Sequence, residues 1–66
     1  MKIRMLRNVD ADVDKTKYKE VWPKYLYKND VLSVSKIEQI TDKQVNLVLD
    51  DGDVLLEIQS TSFELL

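Results

Sequence analysis

Apolar and polar residues alternate with a period of two through much of this 66-residue chain. That alternation marks a strand with one buried face. In "KIRMLR", Ile3 and Met5 oppose Lys2 and Arg4, which predicts a first strand despite the extra apolar Leu6. "DVLSVSKIEQI" predicts a second, in which the apolar phase passes from Leu32 and Val34 to Ile37 near Lys36. A change of phase inside a strand implies a bulge or bend there. "QVNLVLD" sets Val45, Leu47 and Leu49 on one face. "VLLEIQ" is read with Val54, Leu56 and Ile58 on one face and Leu55, Glu57 and Gln59 on the other.

Between these last two runs lies "DDGD", holding the only glycine of the chain. Asp-Gly between two alternating apolar runs is the strongest short-range hairpin signal, because glycine takes positive φ without a Cβ clash and Asp tolerates it. The carboxylates of Asp50, Asp51 and Asp53 are therefore read as a turn and not as a cation site. No further oxygen ligands stand near them at a recognisable spacing. "DADVD" supplies Asp10, Asp12 and Asp14 at the first three ligand positions of an EF-hand loop. The pattern then stops: Lys15 replaces the required glycine, and Val21 replaces the closing glutamate. No metal or cofactor is assigned.

Helix signals are poor. The stretch "ADVDKTKYKEVWPKYLYKND" has a breaker-free run from Thr16 to Val21, but Pro23 disfavours helical geometry at Trp22. An irregular loop with at most one helical turn is expected from Asn8 to Asn29.

Composition narrows the function classes. With no histidine and no cysteine, the usual general base near neutral pH, the commonest metal ligands and every Ser/His/Asp or Cys/His arrangement are absent. A single domain spanning residues 1–66 leaves little volume for a catalytic cleft. A non-enzyme is expected. No run of about 18 apolar residues suggests a membrane span, and "MKIRMLRN" lacks the apolar core of a signal peptide, so a cytoplasmic (cytosolic) location is expected.

The formal net charge of −2 conceals an asymmetry, residues 1–33 carrying +3 and residues 34–66 carrying −5. An acidic total counts against a dedicated nucleic-acid binder, while the basic first half permits a basic face.

Four of the five aromatic residues, Tyr18, Trp22, Tyr25 and Tyr27, fall within ten positions. They are interleaved with Lys15, Lys17, Lys19, Lys24 and Lys28. Tyrosine and tryptophan offer large rigid contact area with a polar end, which suits a protein interface. Bases also stack on such rings while lysines meet phosphates. A third role is core packing, for which Trp22 is the best candidate because the strands offer few large side chains. The candidate partner-binding residues are Tyr18, Trp22, Lys24, Tyr25 and Tyr27, with Tyr18 and Tyr25 foremost.

The order of features resembles a Src-homology-3-like (SH3-like) barrel. "KIRMLR" stands as its first strand, and the excursion from Asn8 to Asn29 as its long first loop. "YKNDVLSVSKI" is similar to its second-strand start, with Asn29 where that family has glycine. "VNLVLDDGDVLLEI" looks like its third and fourth strands with the tight distal hairpin, and "STSFELL" like its 3₁₀ turn and closing strand. The resemblance covers nearly the whole chain and implies an all-β, five-stranded small barrel.

Peptide-binding members use aromatics of the long loop and the 3₁₀ turn to hold proline-rich ligands. This chain lacks the tyrosine after "STSF" and the "ALYDY" pattern, so that activity does not carry over. Tudor-like and ribosomal (KOW-like) relatives use the barrel for methylated side chains or RNA. The size and the Lys/Asn/Asp/Ile-rich style also look like small proteins of low-GC bacteria and their phages. The expectation is a protein-binding module, a bacterial or phage accessory protein acting on a host protein. The alternatives are a nucleic-acid-binding barrel using Lys2, Arg4, Lys17, Lys19 and Lys24 around the aromatics, and a homo-oligomeric assembly subunit in which an edge strand such as "KIRMLR" pairs between copies.

Overall fold

The computed structural model describes residues 1–66 as seven β-strands and one 3₁₀ turn. The strands are β1 (Lys2–Met5), β2 (Val9–Lys15), β3 (Glu20–Leu26), β4 (Val31–Gln39), β5 (Gln44–Leu49), β6 (Val54–Gln59) and β7 (Phe63–Leu65), with the turn at Ser60–Ser62 before β7. They form one antiparallel sheet in the order β3-β2-β6-β5-β4-β1-β7. The strand count is thus seven where the sequence reading expects five, and β1 is not the edge strand expected of "KIRMLR", since β4 and β7 pair with it on either side.

The two additional strands lie in the stretch expected to be an irregular loop. "VDADVD" has a strict alternation of its own, obscured because Asp is depleted in strands. What makes it a strand is a partner on each side: Val13 pairs with Trp22 on β3 and with Leu55 on β6. Antiparallel pairing supplies the backbone hydrogen bonds that local preference alone does not secure.

Nine apolar side chains form the buried core: Ile3, Met5, Val13, Leu26, Val34, Val45, Leu47, Leu55 and Ile58. They come from six strands, so the sheet curls around one interior. For large aliphatic residues such burial contributes about 1.5–3 kcal/mol each.

The phase change expected near Lys36 is present as a register shift between Val34 and Lys36, and it moves the inward positions from Leu32 and Val34 to Ile37. In β6 the expected phase is wrong. Leu55 and Ile58 are the buried residues, while Val54 and Leu56 are only half-buried. Between Leu47↔Leu55 and Val45↔Ile58, β6 advances one residue more than β5. Glu57 absorbs the extra residue at φ 55°, and its N–H donates to Asn46 Oδ1 at 3.0 Å. This bulge turns the second half of the strand over, so a strict period of two misassigns its first half.

"DDGD" is the β5–β6 turn. Gly52 sits at φ +94°, its N–H donates to the Leu49 carbonyl at 2.9 Å, and the Asp53 N–H donates to Asp51 Oδ1 at 2.9 Å.

Candidate functional site

β3 is an edge strand, hydrogen-bonded to β2 alone. Pro23 within it fits that position, since an edge tolerates a residue with no N–H to give. Every residue of β3 except Leu26 is exposed. With β2 it makes a hairpin whose connection, Thr16 to Lys19, ends on Lys19 at φ 55°.

Residues directly opposite in a strand pair share a face. Val13 with Trp22, Ala11 with Lys24 and Val9 with Leu26 therefore occupy the face that carries the buried Val13 and Leu26. Asp14 with Val21, Asp12 with Pro23 and Asp10 with Tyr25 occupy the other. A cluster that reads as one block in sequence is divided between two faces.

On the core-side face, Trp22 is 44% exposed, so it is not the plug of the interior that its size suggests. The core is filled by aliphatic residues and Met5 instead. The Trp22 ring stacks on Tyr18, with centroids 6.2 Å apart and planes 8° from parallel. Its indole N–H donates to Glu20 Oε2 at 2.7 Å. The ammonium groups of Lys15 and Lys17 lie 5.4 Å and 5.8 Å from the Trp22 and Tyr18 ring centres, within cation–π range. On the opposite face Tyr25 and Tyr27 meet edge to face at 4.7 Å. The structure therefore brings Tyr18 together with Trp22, and Tyr25 together with Tyr27, but does not bring the four together. Lys24 has no ionic partner.

Sequence reasoning missed how the tip of this hairpin is held. Lys15 Nζ donates to Asp53 Oδ2 at 2.6 Å, and Thr16 Oγ1 donates to the Gly52 carbonyl at 3.0 Å. These bonds fasten the β2–β3 tip to the β5–β6 turn, so Asp53 serves as an anchor as well as part of the bend. The Lys15–Asp53 pair is partly shielded, its side chains 29% and 14% exposed. The hydrogen bond to Asp53 raises the Lys15 pKa above its ordinary 10.5, with the charges of Asp53 and Asp51 adding and desolvation opposing.

The missed signal lay in the sequence: Lys15 continues the alternation of Val9, Ala11 and Val13 on the face that meets the rest of the sheet. The same alternation puts Asp10, Asp12 and Asp14 on an extended strand, where an EF-hand would require a loop coiled around its ion. No group of three or more His, Cys, Asp or Glu residues is arranged to hold a metal ion.

A concavity of about 410 Å³ runs beside the 3₁₀ turn between Arg7, Asn8, Asp10, Gln44, Glu57 and Gln59. Its polar lining offers no aromatic platform for a proline helix. Arg7 spans it, donating from Nε to Ser62 Oγ at 2.9 Å and from Nη2 to Gln59 Oε1 and Thr61 Oγ1 at 3.1 Å each. These contacts tie the β1–β2 connection to the turn that precedes β7. No helix is long and apolar enough to cross a membrane.

Comparison with protein-family models, with curated proteins and with solved structures returns no match for this chain.

Proposed function

We propose that this chain is a non-enzymatic protein-binding module on an SH3-like barrel, and that hairpin β2–β3 is its contact surface. In the barrel reading β1, β4, β5, β6 and β7 are the five strands of the resemblance, and β2 and β3 are the arms of its long first loop, paired into a ribbon. One observation carries the binding reading. Tyr18, Val21, Trp22 and Tyr25 on a single hairpin at the edge of the sheet, and Tyr27 just beyond it, are all 43–59% exposed. Burying a large apolar side chain contributes about 1.5–3 kcal/mol, and a small domain has few such contributions to forgo. Exposed rings on a rigid ribbon are the anchors that protein interfaces favour.

A bacterial or phage accessory role, with a host protein as partner, is the concrete form of this proposal. Tagged protein is used to capture partners from a bacterial lysate, alongside a Tyr18→Ala/Tyr25→Ala variant whose fold is verified by circular dichroism. Capture by the parent and its loss in the folded variant are expected. Equal capture by both removes the hairpin from the interface.

Nucleic-acid binding is the rival reading, favoured by Lys17, Lys19 and Lys24 around the Tyr18–Trp22 stack. The acidic total of −2 counts against it. A mobility-shift assay at low salt on single-stranded and duplex DNA and RNA distinguishes the two, because phosphate contacts give binding that weakens steeply as salt rises.

A further inference from the structure

Between the tip of hairpin β2–β3 and the β5–β6 turn the surface sinks into a pocket of about 270 Å³. Val13, Leu49 and Leu55 lie at its floor, and Trp22 forms a wall. Val13 and Leu55 belong to the core, so the pocket opens directly onto the packed interior. Its volume, at the small end of the roughly 300–1,000 Å³ typical of ligand sites, has room for one large side chain of another protein. Lys15, Lys24, Asp51 and Asp53 surround its apolar centre, and protein interfaces likewise set an apolar anchor site within a polar rim.

The charge around the pocket is uneven. Lys24 stands on the β3 side, and Lys17 and Lys19 flank the tip, none of the three with an ionic partner. Lys15, also on the rim, is already neutralised by Asp53. Asp51 lies on the far rim, in the turn after β5, and its carboxylate accepts the Asp53 N–H. Glu20 also stands on this side, its Oε2 accepting the Trp22 indole N–H, so on the hairpin side three open cations face one carboxylate, beside an apolar floor.

We infer that this pocket receives one large apolar side chain from an acidic segment of a partner protein, whose flanking carboxylates meet Lys24, Lys17 and Lys19. The inference rests on the binding-module reading and specifies which face of the hairpin is used and what chemistry it accepts. Trp22, the only tryptophan of the chain, forms the pocket wall, so occupancy is read from its emission.

The probes are a short synthetic Glu/Asp/Ser peptide with one central leucine, the same peptide with alanine in that place, its Lys/Arg counterpart, and a single-stranded thymidine oligonucleotide. The acidic leucine peptide shifts Trp22 emission to the blue and binds less tightly as salt is raised. Affinity falls about tenfold or more on replacing the leucine by alanine, the scale of losing an anchor. Lys24→Glu produces a loss of similar size and Lys24→Gln a smaller one, whereas Lys43→Glu, on the exposed β4–β5 turn, leaves binding unchanged. Circular dichroism verifies that each variant is folded.

Equal binding of the alanine peptide, preference for the basic peptide or the oligonucleotide, or no emission change at saturating acidic peptide overturns the inference. Should Tyr18 and Tyr25 still govern capture from lysate while the acidic peptide leaves Trp22 unmoved, this pocket assignment falls and the binding-module proposal stands. If capture is also independent of those tyrosines, both fall.

Discussion

The two hairpins β5–β6 and β2–β3 are built to similar lengths and use their side chains in opposite ways. β5–β6 buries Val45, Leu47, Leu55 and Ile58 and contains no aromatic residue. β2–β3, with longer strands, buries only Val13 and Leu26 and carries Trp22 and Tyr25, with Tyr18 in its turn and Tyr27 just beyond. The reason is position in the sheet. β5 and β6 are central strands with a neighbour on each side, whereas β3 ends the sheet. In a chain this small the aliphatic meander sustains the fold, and the edge ribbon leaves its rings exposed. The Lys15–Asp53 and Thr16–Gly52 bonds join the two at their tips.

The contrast breaks first in the central hairpin. Leu47, fully buried, should lose about 2–5 kcal/mol on truncation to alanine. That is enough to unfold most of the population of a marginal domain, read as loss of the cooperative melt by circular dichroism. Next is the turn. Gly52→Ala meets no neighbour closer than Thr16 Oγ1 at 4.0 Å, yet φ +94° is a conformation L-residues resist. A loss of about 1–2 kcal/mol follows from backbone strain alone, measurable by denaturant titration.

The join between the hairpins is sharpened by pH. Because the folded-state pKa of Lys15 is raised, its stabilisation is fully present below the ordinary lysine value of 10.5 and is lost as pH rises through the higher folded-state value. The difference in melting temperature between the parent protein and Asp53→Asn should hold steady from neutral to mildly alkaline pH and close above that range. A gap that persists through strongly alkaline pH contradicts the ion-pair account.

Most of the central hairpin was legible in the sequence, because its signals are local. Val45 and Leu47 alternate, Asp51-Gly52 fixes the turn, and the phase change near Lys36 marks the bend in β4. The bulge at Glu57 was not legible, since it depends on the Asn46 side chain across the sheet accepting a backbone N–H. Nor was β2 read as a strand, although Val9, Ala11 and Val13 alternate with Asp10, Asp12 and Asp14. Asp is depleted in strands, so the local signal is weak, and the β6 pairing that settles it lies about forty residues further along the chain.

For the candidate site, the chain's order located the aromatic ribbon but not its division. Only the register Val13↔Trp22 and Asp10↔Tyr25 shows that the rings fall on two faces. Pro23, read as a helix breaker, proves to be a residue of an edge strand.

The smallest expected effect is also the most direct test of the central claim, that the rings of the edge hairpin do not sustain the fold. Denaturant unfolding of the Tyr18→Ala/Tyr25→Ala variant should change stability by no more than about 1 kcal/mol, as for two exposed substitutions at about 0.5 kcal/mol each. A loss of more than about 2 kcal/mol, on the scale of a truncated core residue, would make those rings structural and contradict the account.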